Sequence, residues 1–145
     1  MTLALSIPLV MLGGSVGAIC RYLLQALIAS RTALPGWCGI LIINIIGSFL
    51  IGLAVKWISA EIGALKPGGQ SLMGLEIERV ELQELMALTA VGFCGAFTTF
   101  STFSLDNFFL ATEGRGRLVG NIVGSVVLCL GAVYAGWLLG SAVSA

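Results

Sequence analysis

Four long apolar runs leave this chain little choice of fold. They cover residues 3–28, 37–58, 82–112 and 118–143, and each reaches or exceeds the roughly 20 residues a helix needs to cross a bilayer. Inside hydrocarbon every backbone N–H and C=O must find a partner within the protein, so helices and closed barrels are the only spanning structures. A barrel would alternate apolar and polar positions in units of about ten residues, whereas these runs are continuous. The sequence therefore predicts an all-α integral membrane protein, one transmembrane domain of four helices occupying residues 1–145. A hydrophobic content of 58% with 10% charged residues excludes an ordinary soluble domain. No Lys or Arg precedes the first run, which outlasts a signal-peptide core, so it is read as a span.

Orientation is not set by charge. With four spans, both termini and the middle loop share one side, which carries Lys56, Lys66 and Arg79. The other side carries Arg31, Arg115 and Arg117. The positive-inside rule needs an imbalance of Lys and Arg, and 3 against 3, or 3 against 4 if Arg21 reaches its nearer end, supplies none. Either too few charges are present to judge, or the chain inserts both ways. In the second case it would pair with its inverted twin about an axis in the membrane plane, as fused inverted repeats do in transporters.

Several chemistries are excluded. The chain has no His, and its four cysteines (Cys20, Cys38, Cys94, Cys129) stand singly in apolar surroundings, which argues against zinc, haem or Cys/His catalysis. No phosphate-binding or dinucleotide fingerprint is present, and a formal net charge of +0 offers nothing to a nucleic acid. An organic cofactor and enzymatic activity are not expected.

The polar residues inside the spans carry the functional signal. Gly13 and Gly17 give span one a small-residue face for close helix approach, repeated as Ser48/Gly52, Gly120/Gly124 and Gly136/Gly140. Arg21 follows within the same apolar run and either snorkels to the surface or stands at the mouth of an anion path. Asn44 lies deep in "GILIINIIGSFLIGL", where an amide facing lipid would be unsatisfied, so it meets another helix or a hydrated pathway. Asn121, Ser125 and Cys129 recur every fourth residue of span four and form one stripe. In the middle loop, Pro67-Gly68-Gly69 reads as a turn. Glu76, Glu78, Glu81 and Glu84 precede span three, where negative charge suits a helix N-terminus.

Span three contains "GFCGAFTTFSTFSLD", Gly92 to Asp106, with five hydroxyls, two glycines and four phenylalanines in fifteen residues. Glycines followed by Ser/Thr that back-bond to the preceding turn weaken an unbroken helix. Non-helical backbone at membrane depth is tolerated where it is buried or lines a cavity, and its freed carbonyls are a usual means of holding Na⁺ or K⁺. Phe97, Phe100 and Phe103, spaced by three, would crowd one side of a helix or tight turn. Their positive ring edges, with hydroxyl donors and the Asn44 amide, suit a small anion. Ordinary core packing is the alternative for the rings.

These residues resemble the small four-helix fluoride channels, the Fluc family. Gly13-Gly14-Ser15-Val16-Gly17 with Arg21, Asn44 followed by Gly47, Thr98-Thr99-Phe100-Ser101-Thr102-Phe103-Ser104, and Gly124-Ser125 occur in family order across nearly the whole chain. The Thr-Thr-Phe-Ser-Thr-Phe block is the specific part. The resemblance implies four transmembrane helices with a broken third, an antiparallel dual-topology homodimer, two fluoride pores and a structural Na⁺ at the dimer centre. It implies backbone carbonyls of Gly95 and Thr98 on Na⁺, Phe100 and Phe103 in the pores, one from each subunit to a given pore, and Asn44 donating to fluoride. Thr99 and Ser125 would belong to a polar track and Arg21 to a pore entrance. The implied setting is a microbial plasma membrane, bacterial inner membrane foremost, with fluoride, lipid and a second copy as partners. Asn121, Asp106 and Cys129 depart from the family pattern, where Tyr or His, Glu and a hydroxyl residue are usual. The middle loop is longer than the family's.

Two other functions compete with this reading. A small dual-topology multidrug or proton-coupled transporter would need an embedded carboxylate, for which Asp106 is the candidate. A scaffold subunit would explain the glycines but give Asn44 and the hydroxyl run no purpose.

Overall fold

A computed structural model describes residues 2–64 and 81–143, with side chains described for 6–61 and 81–143. All regular structure among the described residues is helical. Helix α1 is Thr2–Arg31 and α2 is Gly36–Ala64. Helix α3, residues 81–97, contains a π-helical stretch, Ala87–Cys94, and ends in the α turn Gly95–Phe97. Helices α4, Phe100–Glu113, and α5, Arg115–Val143, complete the chain. Four segments are long and apolar enough to cross a membrane: Ser6–Arg31, Gly36–Glu61, Glu81–Glu113 and Arg115–Val143. The protein is a multi-pass membrane protein. Much of the middle loop, with Lys66, Pro67-Gly68-Gly69, Glu76, Glu78 and Arg79, lies outside the described residues.

Two links between spans lie within the described residues, and both are short. Thr32 N–H returns to Ile28 O (2.9 Å) and its hydroxyl donates to the same carbonyl (2.7 Å), closing α1 before Pro35. Gly114 turns α4 into α5 with φ 148°, a conformation that glycine adopts without the clash a Cβ would bring. Helices joined by such short turns, α1 with α2 and α4 with α5, run antiparallel, yet the most extensive contacts skip along the sequence. α2 lies along α5, and α1 lies along the π-helical part of α3.

Glycine decides both pairings. A Cβ on Gly13 would overlap Leu88 O, and one on Gly17 would overlap Phe93 O. The π turn widens the α3 backbone, and α1 meets it main chain to main chain. In the other pair, Gly52 faces Val133 O and Gly136 faces Phe49 O, again with no room for a methyl group. Gly120 and Gly124 have nothing within 4 Å of such a Cβ. Small-residue spacing thus marks contact inside this chain in three cases and open surface in the fourth. Ile40, Ile43 and Ile58 of α2 form the fully buried centre. The outer faces of α1 and α5 are large and apolar, from Met11 (66% exposed) to Leu130 (64%). That is the surface a bilayer or a second copy of the chain would cover.

Candidate functional site

The site begins where α3 stops. Thr98 and Thr99 are extended (φ −77°, ψ 159° and φ −146°, ψ 122°), flanked by helix on both sides. Hydroxyls act as expected around this point: Thr98 Oγ1 donates to Cys94 O (3.0 Å) and Ser104 Oγ to Phe100 O (2.9 Å). The Thr99 side chain caps α4, accepting from Thr102 N–H (3.3 Å), and shares hydrogen bonds with Ser101 Oγ (3.2 Å) and Thr102 Oγ1 (3.1 Å).

An extended residue inside an apolar spanning segment needs outside partners, and for Thr99 Asn44 supplies them. Its Oδ1 accepts from Thr99 N–H (2.9 Å) and its Nδ2 donates to Thr99 O (3.2 Å). One amide therefore satisfies both main-chain groups of the central residue, as a neighbouring strand would. An amide nitrogen carries two hydrogens, and the second is left for another acceptor.

The same diversion frees two carbonyls. In a continuous helix Gly95 O would accept from Thr99 N–H, and Thr98 O from Thr102 N–H. Those donors go instead to Asn44 Oδ1 and Thr99 Oγ1, while Thr98 N–H returns to Cys94 O (3.0 Å). Gly95 and Thr98 thus present carbonyls released from the helical ladder, on an exposed part of the chain at Gly95. Among the described residues no group of three or more His, Cys, Asp or Glu could hold a metal.

Around Thr98 and Thr99 opens a cleft of ≈ 370 Å³ lined by α2, α3, α4 and α5. It brings together Asn44, Gly95, Thr98, Thr99, Phe100, Phe103, Ser125 and Cys129. Thr99 and Ser125 are 6% and 7% exposed, whereas Phe100 is 79% exposed at the open edge. The rings of Phe100 and Phe103 lie 5.9 Å apart, tilted by 42°. Arg21 is not in this group: it sits half-buried on α1, with no ion pair among the described residues.

The expectation that Phe97, Phe100 and Phe103 crowd one side is corrected. Phe97 is buried, stacks on Phe93 (5.6 Å, 10°) and packs against Gly47, while Phe100 and Phe103 face the cleft. The extended pair Thr98-Thr99 intervenes, and it resets the helical phase between the first ring and the other two.

The stripe on α5 has a partner that sequence reading missed. Buried Asn121 donates through Nδ2 to Asn107 Oδ1 (2.9 Å), and Ser125 Oγ lies 3.5 Å from Asn121 Oδ1. Asn107 stands four residues after Phe103 on α4, and this i, i+4 spacing is the signal by which it could have been found. Asp106 points elsewhere. It borders a separate cavity of ≈ 600 Å³ with Trp37, Glu113 and Arg117, where its Oδ2 is buried without a hydrogen-bond partner.

Comparison with known proteins decides the family. The family model described as "CrcB-like protein, Camphor Resistance (CrcB)" matches residues 8–137. The chain belongs to the CrcB, or Fluc, family. Relatives of this CrcB chain include the fluoride-specific ion channel FluC of Opitutus terrae, 36% identical over 126 residues, 86% of this chain and 84% of that one. The protein of the same name from Salinibacter ruber is 36% identical over 143 residues, covering 92% of each. That of Methanopyrus kandleri is 34% identical over 85 residues, 50% of this chain and 63% of the relative. The CrcB match covers the cleft residues and reaches into all four spanning helices.

Proposed function

We propose that this chain is a fluoride-selective channel that lets fluoride leave the cell passively and so lowers cytoplasmic fluoride. The observation that carries the reading is the cleft, where the Asn44 amide, the Thr99 and Ser125 hydroxyls and two phenylalanine rings converge. Fluoride is small and strongly hydrated, so a selective path has to replace water with close donors. The second Nδ2 hydrogen of Asn44 and the hydroxyls are such donors, and ring edges of Phe100 and Phe103 add weak positive potential. No Lys or Arg lines the cleft to trap the ion. The names of the relatives support the same substrate.

The working unit in this reading is an antiparallel homodimer with two pores, each taking a phenylalanine from either subunit. The single-chain cleft is open at Gly95 and Phe100, where a second copy would close it, and the balanced charges permit both orientations. The carbonyls of Gly95 and Thr98, freed from the helical ladder, fit a structural Na⁺ at the dimer centre, where the ion would tie the two broken segments together. Arg21 would stand at a pore entrance and gather anions. A microbial plasma membrane, bacterial inner membrane foremost, is the setting.

The proton-coupled alternative is disfavoured by Asp106, which borders a cavity apart from the cleft. Purified protein in liposomes decides between them, with external fluoride and chloride followed as the membrane potential is dissipated. Fluoride release without chloride release is expected. Equal chloride release, or none of either from folded protein, overturns the reading. Phe103→Ile is expected to impair flux with the dimer intact.

A further inference from the structure

We infer that Asn107 is a positioning residue for the polar side of the conduction path, acting through Asn121 on Ser125; the inference rests on the fluoride-channel reading above. The geometry is a chain of three side chains on two helices. Asn107 Oδ1 accepts from Asn121 Nδ2 at 2.9 Å, and Asn121 Oδ1 faces Ser125 Oγ at 3.5 Å. Ser125 lines the cleft; Asn121 and Asn107 do not.

An amide has a donor end and an acceptor end, and rotating it by half a turn exchanges them. Asn121 is 6% exposed and Ser125 7%, so the choice between the two orientations is made by protein partners and not by water. With the Asn107 oxygen holding Nδ2, the acceptor end of Asn121 is turned toward Ser125. It orients the Ser125 hydroxyl and gives it a resting partner at long distance, from which the O–H can swing to an anion in the cleft at little loss. Without Asn107 the Asn121 amide is free to reverse, presenting N–H to Ser125 and competing with it as a donor. The Ser125 hydroxyl then has no fixed direction.

Position along the helices supports the assignment. Asn107 follows Phe103 by one turn and Asn121 precedes Ser125 by one turn, so the amide pair lies one turn from the cleft on both helices, between its wall and the α4–α5 turn. The pair also ties α4 to α5, which the exposed Arg117–Glu113 ion pair (2.7 Å) links again at their turn, so a purely structural role has to be separated from a positioning one.

A double-mutant cycle in the liposome flux assay makes that separation. Asn107→Leu removes the acceptor at similar volume and is expected to lower fluoride release about tenfold, the equivalent of one good hydrogen bond, in protein that remains monodisperse and helical. Asn107→Gln keeps an amide oxygen and is expected to recover most of the rate. Asn121→Leu is expected to lower release, and adding Asn107→Leu to it to cause no further loss. Should the Leu variant misfold, Asn107→Ala carries the same cycle. Wild-type rates in Asn107→Leu, no recovery in Asn107→Gln, or full additivity with Asn121→Leu would each overturn the inference while fluoride conduction by the wild type stands. A folded wild type that passes no fluoride overturns the function and this inference together.

Discussion

At the scale of single residues, Asn44 holds the site together. Its amide meets both main-chain groups of Thr99, and leaving a buried donor or acceptor unmet costs about 1 to 3 kcal/mol each. Asn44→Leu is therefore expected to lower thermal stability markedly and to abolish flux, read by unfolding in detergent and by fluoride release. Asn44→Asp separates the two effects. Its carboxylate still accepts from Thr99 N–H but cannot donate to Thr99 O, and it places negative charge on the cleft. Stability should fall less than in the Leu variant, with flux still lost; a conducting Asp variant would remove the donor role proposed for Asn44. From the sequence Asn44 was legible as an amide that must face something, but its partner 55 positions away was not. Asn107 shows the opposite case, a polar residue beside the more conspicuous Asp106 whose meaning depended on Asn121 across a helix pair.

At the scale of elements, glycine and the π turn set how the helices pair. Gly17 allows α1 to touch the Phe93 carbonyl, so Gly17→Ala is expected to destabilise the chain by about 1 to 3 kcal/mol through overpacking. Gly116→Ala, in an open part of α5, should be neutral or slightly stabilising because alanine favours helix. Equal melting temperatures for the two variants would contradict the pairing of α1 with α3. Sequence spacing identified Gly13/Gly17 and Gly136/Gly140 as packing faces. It could not distinguish them from Gly120/Gly124, which have the same spacing and no neighbour within the chain, because a spacing rule describes one helix and contact needs two. The phase change between Phe97 and Phe100 was hidden for a related reason: a count of three residues predicts a shared face only if the backbone stays helical.

At the scale of the whole molecule, the predictions concern assembly. If the carbonyls of Gly95 and Thr98 bind Na⁺ in a dimer, replacing Na⁺ by a large organic cation should lower thermal stability and favour monomers, measured by unfolding and by mass in detergent; identical behaviour in both salts would dismiss the ion. If both orientations occur, a single reactive cysteine placed at the C-terminus of a variant otherwise lacking Cys should be labelled by an impermeant reagent in about half of the molecules in intact cells. Labelling of all or none would show one fixed topology and remove the antiparallel arrangement.

The sequence alone determined that this is a helical membrane protein and which polar residues have to be explained, because hydrocarbon tolerates so few structures that length and apolarity suffice. It also marked Gly92 to Asp106 as the stretch to be explained, since hydroxyls and glycines in an apolar run conflict with a plain span. Only the tertiary structure decided which polar groups meet: Asn44 with Thr99, Asn107 with Asn121, Asp106 with a cavity of its own. Hydrogen bonds are short and directional, so a partner is defined by how two helices are placed against each other, and no local pattern in either helix contains that information.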